Sequence, residues 1–174
     1  MEETKVILVD KNDNETGFAG KTEAHEKALL HRAISVFVVN SSGEWLLQQR
    51  ALTKYHSAGL WTNTCCSHPL PGETNTIAAY RRLKEEMGME NCTLTRLFDF
   101  IYFEKLENGL TEHELDHVFL GFSDQVPQVN TDEVMNFRYI TFDELKNDIS
   151  KNQNSYTIWF RHIFERVQSH IENI

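Results

Sequence analysis

The chain has 174 residues, of which 40% are hydrophobic and 25% charged, and its formal net charge is −9. These values are typical of an ordinary globular protein, so we expect one domain over residues 1–174 with a substantial core. The negative charge argues against a broad nucleic-acid-binding surface, although a local group of cations can still bind a diphosphate. No apolar run is long enough to cross a membrane.

The N-terminus and the cysteines indicate the compartment. The first ten residues lack a basic region followed by a long apolar stretch, which a signal peptide would need. Three cysteines, two of them adjacent at Cys65 and Cys66, are a poor basis for a disulfide framework. We therefore expect a cytoplasmic protein with no membrane or nucleic-acid partner. We expect a monomer, although the sequence leaves the oligomeric state open.

The first half of the chain predicts three strands and a helix. The β-rich runs are residues 5–10, 32–40 and 45–50. The polar segment 41–44 predicts a hairpin between the last two runs. Residues 74–87 have apolar side chains at helical spacing, and Gly88 can end that helix in a left-handed conformation. The segment between the hairpin and this helix is expected to be a loop.

The second half predicts three more strands and two helices. The strands are residues 94–104, 113–123 and 137–140. Thr141 and Glu144 form a capping-box pattern for the next helix, and Ser155 is the expected N-cap of the last one. Because strands and helices interleave without regular βαβ alternation, we expect an α/β (α+β) fold with a mixed β-sheet between helices.

The segment 62–89, TNTCCSHPLPGETNTIAAYRRLKEEMGM, carries a specific motif. It resembles the Nudix superfamily box G-x5-E-x7-R-E-U-x-E-E-x-G-U, in which U is aliphatic. Ser67 stands where the first Gly belongs, and Arg82 replaces the first Glu of the R-E pair. Since that Glu belongs to the metal-binding cluster of the hydrolases, its loss argues against ordinary hydrolysis.

Cys66 and His68 precede the predicted helix directly. Taken alone, such a cysteine is more often a small buried hydrophobic residue and such a histidine a hydrogen-bonded polar residue. Their place before a helix rich in Arg and Glu favours a chemical role instead. We expect the thiol, near a metal or cation, to have a lowered pKa and to act as an acid or base.

Histidines and carboxylates elsewhere offer possible metal ligands. His25, His31 and His68 lack a local ligand spacing, so solvated or hydrogen-bonded histidines are the better interpretation of each alone. Glu112 and Glu114 are two apart on a predicted strand and therefore face the same side. A solvated strand face is the alternative, but two convergent carboxylates with imidazoles suit an octahedral divalent ion.

Cations near this region have two interpretations. Arg82 and Glu86, four residues apart on the helix, can simply stabilise it, although Glu86 occupies a Nudix metal-ligand position and Arg82 can contact phosphate. Lys21, Arg50 and Lys54 are ordinary surface cations when taken alone. Their nearness to the hairpin and the cysteine segment favours a phosphate clamp.

Most of the chain resembles the type I isopentenyl-diphosphate delta-isomerases, a Nudix-fold family of isoprenoid biosynthesis. The matching segments are GKTEAH (20–25), LLHRA (29–33), QQRALTK (48–54), GLWTNTCCSHPLPGE (59–73), RRLKEEMG (81–88), FIYFEK (100–105), EHELDHVF (112–119) and NTDEVM (130–135). WTNTCCSHP together with EHELDHV is highly specific. Ser67 and Arg82, unusual for a hydrolase, both suit the isomerase pattern.

The resemblance implies metal-dependent interconversion of isopentenyl and dimethylallyl diphosphate through a carbocation-like state. An unactivated alkene is a poor base, so the reaction needs an acid and a base on opposing sides of a water-excluded pocket. By similarity, Cys66 and Glu114 are the acid/base pair, with Tyr102 assisting Glu114. Trp159 would place its π face near the developing cation.

The resemblance also implies two ion sites and a phosphate site. One divalent ion, Mn²⁺, Mg²⁺ or Zn²⁺, is expected to bind a set made of His25, His31, His68, Glu112 and Glu114. A Mg²⁺ ion would accompany the substrate diphosphate, helped by Glu86 and the backbone carbonyl of Cys66. The positions expected to contact the substrate are Lys21, Arg50, Lys54, Ser67, Arg82 and Trp159.

Two other functions compete with isomerisation. A Nudix hydrolase of a nucleoside diphosphate derivative would need the carboxylate that Arg82 replaces. A non-catalytic metal- or nucleic-acid-binding module would give the acid/base pair no role.

Overall fold

The computed structural model describes residues 3–174 and contains strands and helices in irregular alternation. The strands are β1 (Lys5–Val9), β2 (Glu15–Gly20), β3 (His31–Val39), β4 (Trp45–Arg50), β5 (Trp61–Thr62), β6 (Cys65–Ser67), β7 (Leu94–Lys105), β8 (Thr111–Phe122) and β9 (Val134–Ile140). The helices are α1 (Lys21–Glu26), α2 (Asn75–Met87), α3 (Phe142–Asn152) and α4 (Ile158–Ile171). Within residues 3–174, no helix is long and apolar enough to cross a membrane.

The strands form a mixed sheet centred on β3 and β8. These two strands are parallel and pair from His31 opposite Glu114 to Val39 opposite Phe122. β7 pairs antiparallel with β8, and β6 pairs antiparallel with β3 so that Cys66 lies opposite Ser35. β4 joins β3 only at the hairpin end and pairs along most of its length with β9. The expected fold class, a mixed sheet between helices, is confirmed.

Helices cover both faces of the sheet. Side chains of β3 alternate between the two faces, so Val36 packs against α2 whereas Phe37 packs against α4. Because both faces are buried, β3 reads as a nearly continuous apolar run from Ala33 to Val39 rather than as an alternating pattern. The buried middle of β3 fixes the position of its own polar end, and β6 and β8 place their polar residues beside that end by pairing with it.

Two helix boundaries agree with expectation and one does not. Thr74 caps α2 through its hydroxyl, and Thr141 with Glu144 forms the capping box of α3. Ser155 is not the N-cap of α4, because it lies in a short 3₁₀ turn that ends before the helix. The N-cap is Thr157, whose hydroxyl donates to Thr62 Oγ1 at 2.8 Å instead of capping the helix.

Short elements account for the structure that sequence patterns missed. α1 and β2 were not predicted, and the expected loop before α2 contains β5 and β6. Each is too brief to show a periodic pattern, and each is stabilised by pairing or packing with distant residues. They matter because α1 carries His25 and β6 carries Cys66.

Gly88 gives the first prediction. Its φ is 64°, and a Cβ there would overlap the backbone carbonyl oxygen of Gln128. We expect Gly88→Ala to lower the free energy of unfolding by about 2–4 kcal/mol, from left-handed strain and overpacking together. Urea unfolding measures this loss. Gly109 is the control, since its φ is 82° with nothing within 4 Å of a Cβ. Equal losses in both variants would contradict the role of the Gln128 overlap.

Candidate active site

One cleft gathers most of the predicted site residues. Its lining includes Lys21, Arg50, Lys54, Cys66, Ser67, His68, Arg82, Tyr102, Glu112, Glu114 and Trp159. His25 and His31 do not line the cleft but reach Glu114 from the buried side.

Three imidazoles meet at Glu114. His25, His31, His68 and Glu114 each place one ligand atom within 4.8 Å of the others. Glu114 Oε1 lies 2.9 Å from His68 Nε2, 3.3 Å from His31 Nε2 and 3.8 Å from His25 Nε2. The interpretation of these histidines as solvated is therefore wrong, whereas each of them is hydrogen-bonded as its alternative expected. The register of β3 against β8 sets His31 opposite Glu114, and α1 adds His25.

The donor atoms of this group fit a divalent cation. His25 Nδ1 donates to Lys21 O at 2.7 Å and His31 Nδ1 donates to Leu29 O at 2.8 Å. Because a carbonyl oxygen only accepts, each Nδ1 carries a proton, and Nε2 is the ring atom that would face a bound ion. His31 Nε2 is buried and makes no hydrogen bond to any residue from 3 to 174.

The electrostatics of the group also favour a bound cation. Burial lowers the pKa of His25, but hydrogen bonds and charges from Glu112 and Glu114 outweigh it and raise that pKa to about 10. Burial raises the pKa of the Glu114 carboxyl, whereas its contacts with the three imidazoles bring that pKa well below its usual value. The carboxylates therefore attract positive charge into this space, and a divalent ion would supply it.

Glu112 lies beside Glu114 as strand alternation predicts. Its side chain is 2% exposed, and its Oε2 is 3.7 Å from His25 Nε2. Asp116 continues the row on β8 and accepts a hydrogen bond from Ser35 Oγ at 2.6 Å. The solvated-face alternative is wrong, because all three carboxylates are buried.

Tyr102 connects the two glutamates from β7. Its hydroxyl donates to Glu114 Oε2 at 2.7 Å and lies 3.3 Å from Glu112 Oε2. Burial, followed by the two carboxylate charges, raises the pKa of the Tyr102 phenol well above its usual value. The phenol is thus a hydrogen-bond donor at neutral pH.

Cys66 is held in the cleft by the pairing of β6 with β3. Its Sγ lies 3.9 Å from Arg50 Nη1. Burial raises the pKa of the Cys66 thiol to about 12, and the charge of Arg50 offsets only part of this rise. The expected lowering of this pKa is therefore wrong, because desolvation of the thiolate outweighs the attraction of one guanidinium.

Four cations line the cleft: Lys21, Arg50, Lys54 and Arg82. Burial, followed by the positive charges of the other three, lowers the pKa of the Lys21 ammonium. Lys54 pairs with Glu133, whereas Lys21 and Arg50 form no ion pair within residues 3–174. Arg50 is only 6% exposed, so its interpretation as an ordinary surface cation is wrong. Partly buried cations that repel one another form an anion-binding environment.

Arg82 and Glu86 form the expected pair on α2. Arg82 Nη2 donates to Glu86 Oε1 at 2.5 Å, and Gln48 Nε2 donates to the other oxygen at 2.7 Å. Glu86 is 2% exposed and lies beside the cleft rather than in its lining. Its role as a ligand of a substrate-bound Mg²⁺ stays a prediction.

Trp159 and His56 also line the cleft. The guanidinium carbon of Arg50 lies 5.4 Å from the centre of the Trp159 ring, and His56 contacts that ring edge-on at 5.8 Å. His56 was not among the predicted residues, although its Nε2 lies 2.7 Å from Glu112 Oε1. The only sequence signal for it is a histidine two residues after Lys54, inside a segment that reads as a turn.

Comparison with known proteins identifies the relatives of this chain. The NUDIX domain family matches residues 29–160. The isopentenyl-diphosphate Delta-isomerase of Pectobacterium atrosepticum is 52% identical over 94% of this chain and 91% of its own. Isopentenyl-diphosphate Delta-isomerase 2 of Aromatoleum aromaticum is 50% identical over 96% of this chain and 88% of its own.

Solved structures support the fold. A crystal structure of the protein DR0079 from Deinococcus radiodurans matches with a TM-score of 0.70 at 20% identity, covering 84% of this chain and 89% of that chain. A MutT NUDIX hydrolase from Burkholderia pseudomallei matches with a TM-score of 0.61 at 23% identity, covering 79% of this chain and 98% of that chain.

Proposed function

The chain belongs to the isopentenyl-diphosphate Delta-isomerase family within the NUDIX superfamily, and we propose that it converts isopentenyl diphosphate to dimethylallyl diphosphate in isoprenoid biosynthesis. The main observation in support of this proposal is the set of side chains that line one cleft. It combines a partly buried thiol, a glutamate bound by a tyrosine hydroxyl, and a group of four cations. Hydrolysis of a diphosphate would not require the first two.

The reaction moves a double bond by adding one proton and removing another. A proton joins the terminal methylene carbon of the alkene, the neighbouring carbon becomes a tertiary cation, and a proton then leaves the carbon beside it. Cys66 and Glu114 are the two groups that exchange these protons, and the Tyr102 hydroxyl holds the Glu114 carboxylate in place. Tyr102 and Glu114 are buried and Cys66 is partly buried, which limits the access of water that would otherwise capture the cation.

The aromatic wall stabilises the cation between these groups. Trp159 lines the same cleft, is 3% exposed, and its ring already lies beside the positive charge of Arg50. A desolvated cation–π contact of this kind contributes about 2 kcal/mol.

The divalent ion is assigned to the group of His25, His31, His68, Glu112 and Glu114. When bound, it would lower the proton affinity of Glu114 and hold that side chain in one orientation. Nitrogen and oxygen ligands together suit Mn²⁺, Mg²⁺ or Zn²⁺. A second ion, Mg²⁺, is proposed to enter with the substrate diphosphate near Glu86 and the backbone carbonyl of Cys66.

The substrate diphosphate is proposed to bind the four cations together with Ser67. The mutual repulsion of Lys21, Arg50, Lys54 and Arg82 supports this assignment, because a polyanion would neutralise it. We also propose a monomer of one domain, since a single chain provides every residue named here. The three free cysteines support the cytoplasm as its compartment.

The direct test is incubation with isopentenyl diphosphate and Mg²⁺ in deuterated water, followed by NMR. We expect deuterium in a methyl group of the dimethylallyl diphosphate formed, because the added proton comes from groups that exchange with solvent. A parallel assay measures phosphate release from nucleoside diphosphate derivatives, and we expect none. Rapid Mg²⁺-dependent release without deuterium transfer would instead establish the hydrolase alternative.

A further inference from the structure

His56 lies between the buried carboxylates and the cations of the cleft. Its side chain is 7% exposed, and its Nε2 is 2.7 Å from Glu112 Oε1. Because a carboxylate oxygen accepts, Nε2 carries the proton and donates this hydrogen bond. Glu112 is 2% exposed, so the bond is shielded from water and stronger than a similar bond at the surface.

The two oxygens of Glu112 face different partners. Oε1 accepts from His56, whereas Oε2 lies 3.3 Å from Tyr102 Oη and 3.7 Å from His25 Nε2. A carboxylate that is anchored at one oxygen cannot rotate freely about its last bond. The contact with His56 therefore sets the direction in which Oε2 points, which is towards the imidazoles.

The ring of His56 is itself held in place. Its Nδ1 lies 3.2 Å from Ser57 Oγ, and its edge meets Trp159 at an interplanar angle of 88°. Its carbonyl oxygen accepts from Arg50 Nη2 at 3.2 Å. Ser57 has a φ of 51°, in the left-handed region that residues other than glycine seldom adopt. Such strain persists where the surroundings determine the backbone, as they do here.

We propose that His56 is a positioning residue that orients Glu112 towards the divalent ion and connects this carboxylate with Arg50 and Trp159. The inference rests on the proposed function, because it takes the His/Glu group to be the ion site. Removing a hydrogen-bond partner of a metal ligand typically costs about 10- to 100-fold in metal affinity or activity.

The test measures Mn²⁺ binding from the EPR signal of the free ion, together with steady-state isomerisation. His56→Leu keeps most of the volume but has no N–H, and we expect it to raise the Kd of Mn²⁺ by about 10- to 100-fold. His56→Gln retains an N–H donor near the position of Nε2 and should recover most of the affinity. His56→Ala removes the same donor and provides the measurement if the leucine variant fails to fold.

The matched control is His162→Leu. His162 Nε2 lies 2.9 Å from Glu104 Oε1, a pair of the same kind at the protein surface. We expect this variant to bind Mn²⁺ and to isomerise the substrate as the wild type does.

The outcomes separate this inference from the function on which it rests. Wild-type Mn²⁺ affinity in the variants without a donor would overturn the positioning role while the isomerase assignment stands. A glutamine variant as weak as the leucine variant would also overturn it, and would indicate that His56 binds the ion directly. A wild-type protein that neither binds Mn²⁺ nor isomerises the substrate would contradict the proposed function itself.

Discussion

Replacing Cys66 with alanine is expected to lower kcat/KM for isopentenyl diphosphate by about 10³-fold, since a positioned acid or base contributes about 10² to 10⁴. The thiol lies in the cleft near Arg50, and the residues that line the cleft include no other thiol to take its place. The loss should appear mainly in kcat, because the cations that hold the diphosphate are unchanged. A coupled assay of dimethylallyl diphosphate formation measures both parameters.

Cys65 provides the matched control for this substitution. It precedes Cys66 on β6 but is fully buried on the other face of the strand, in the core beside α2. Cys65→Ala should cost about 1 kcal/mol of stability through lost packing and leave kcat/KM nearly unchanged. Near-normal turnover by Cys66→Ala, with its fold intact by thermal unfolding, would remove the thiol from the proton chemistry.

Long, regular elements could be predicted from the sequence because their patterns are local. The helix predicted over 74–87 and the capping box of α3 depend on residues of one element each, and both are confirmed. Of the apolar positions that predicted this helix, Leu83 and Met87 are buried, whereas Ile77 and Tyr80 are exposed. The faces of Glu112 and Glu114 follow from strand alternation alone. Local periodicity therefore located the carboxylates correctly before any distance was known.

Other features depend on contacts between distant residues, so local patterns do not show them. The meeting of the three histidines was expected only from the resemblance to the isomerase family. The three histidines meet only because β3 pairs with β8 and α1 packs beside them. Burial reversed two electrostatic expectations: it raises the pKa of Cys66, and it removes Arg50 from the surface. His56 has no sequence signal beyond its position two residues after Lys54. Its contacts depend on a turn in which Ser57 is left-handed, and no sequence pattern predicts that conformation.

Replacing Glu114 with glutamine is expected to abolish isomerisation, with a fall in kcat/KM of at least about 10³-fold. Glutamine keeps the size of the side chain and can still accept from Tyr102, but it cannot carry the transferred proton. It also removes the negative charge that faces His25, His31 and His68, so Mn²⁺ affinity should fall as well. Kinetics and EPR titration measure the two losses separately.

The control for this substitution is Glu104→Gln. Glu104 lies on β7 opposite Glu112 and accepts from His162, so it is a glutamate of the same sheet with a histidine partner outside the cleft. We expect wild-type kinetics and Mn²⁺ affinity in this variant. Near-normal turnover by Glu114→Gln would exclude this carboxylate as a proton carrier.

Tyr102→Phe tests the contribution of the hydroxyl that donates to Glu114 separately from that of the Glu114 carboxylate itself. The phenol makes one short bond to Glu114, and a hydrogen bond to a charged group contributes about 1.5–3 kcal/mol, so a loss of about 10- to 100-fold is expected. This loss should be smaller than that of Glu114→Gln, because the phenol acts through the carboxylate. If the phenylalanine variant were the more damaged of the two at saturating Mn²⁺, the proton carrier on this side of the alkene would be the Tyr102 hydroxyl, and Glu114 would serve the ion alone.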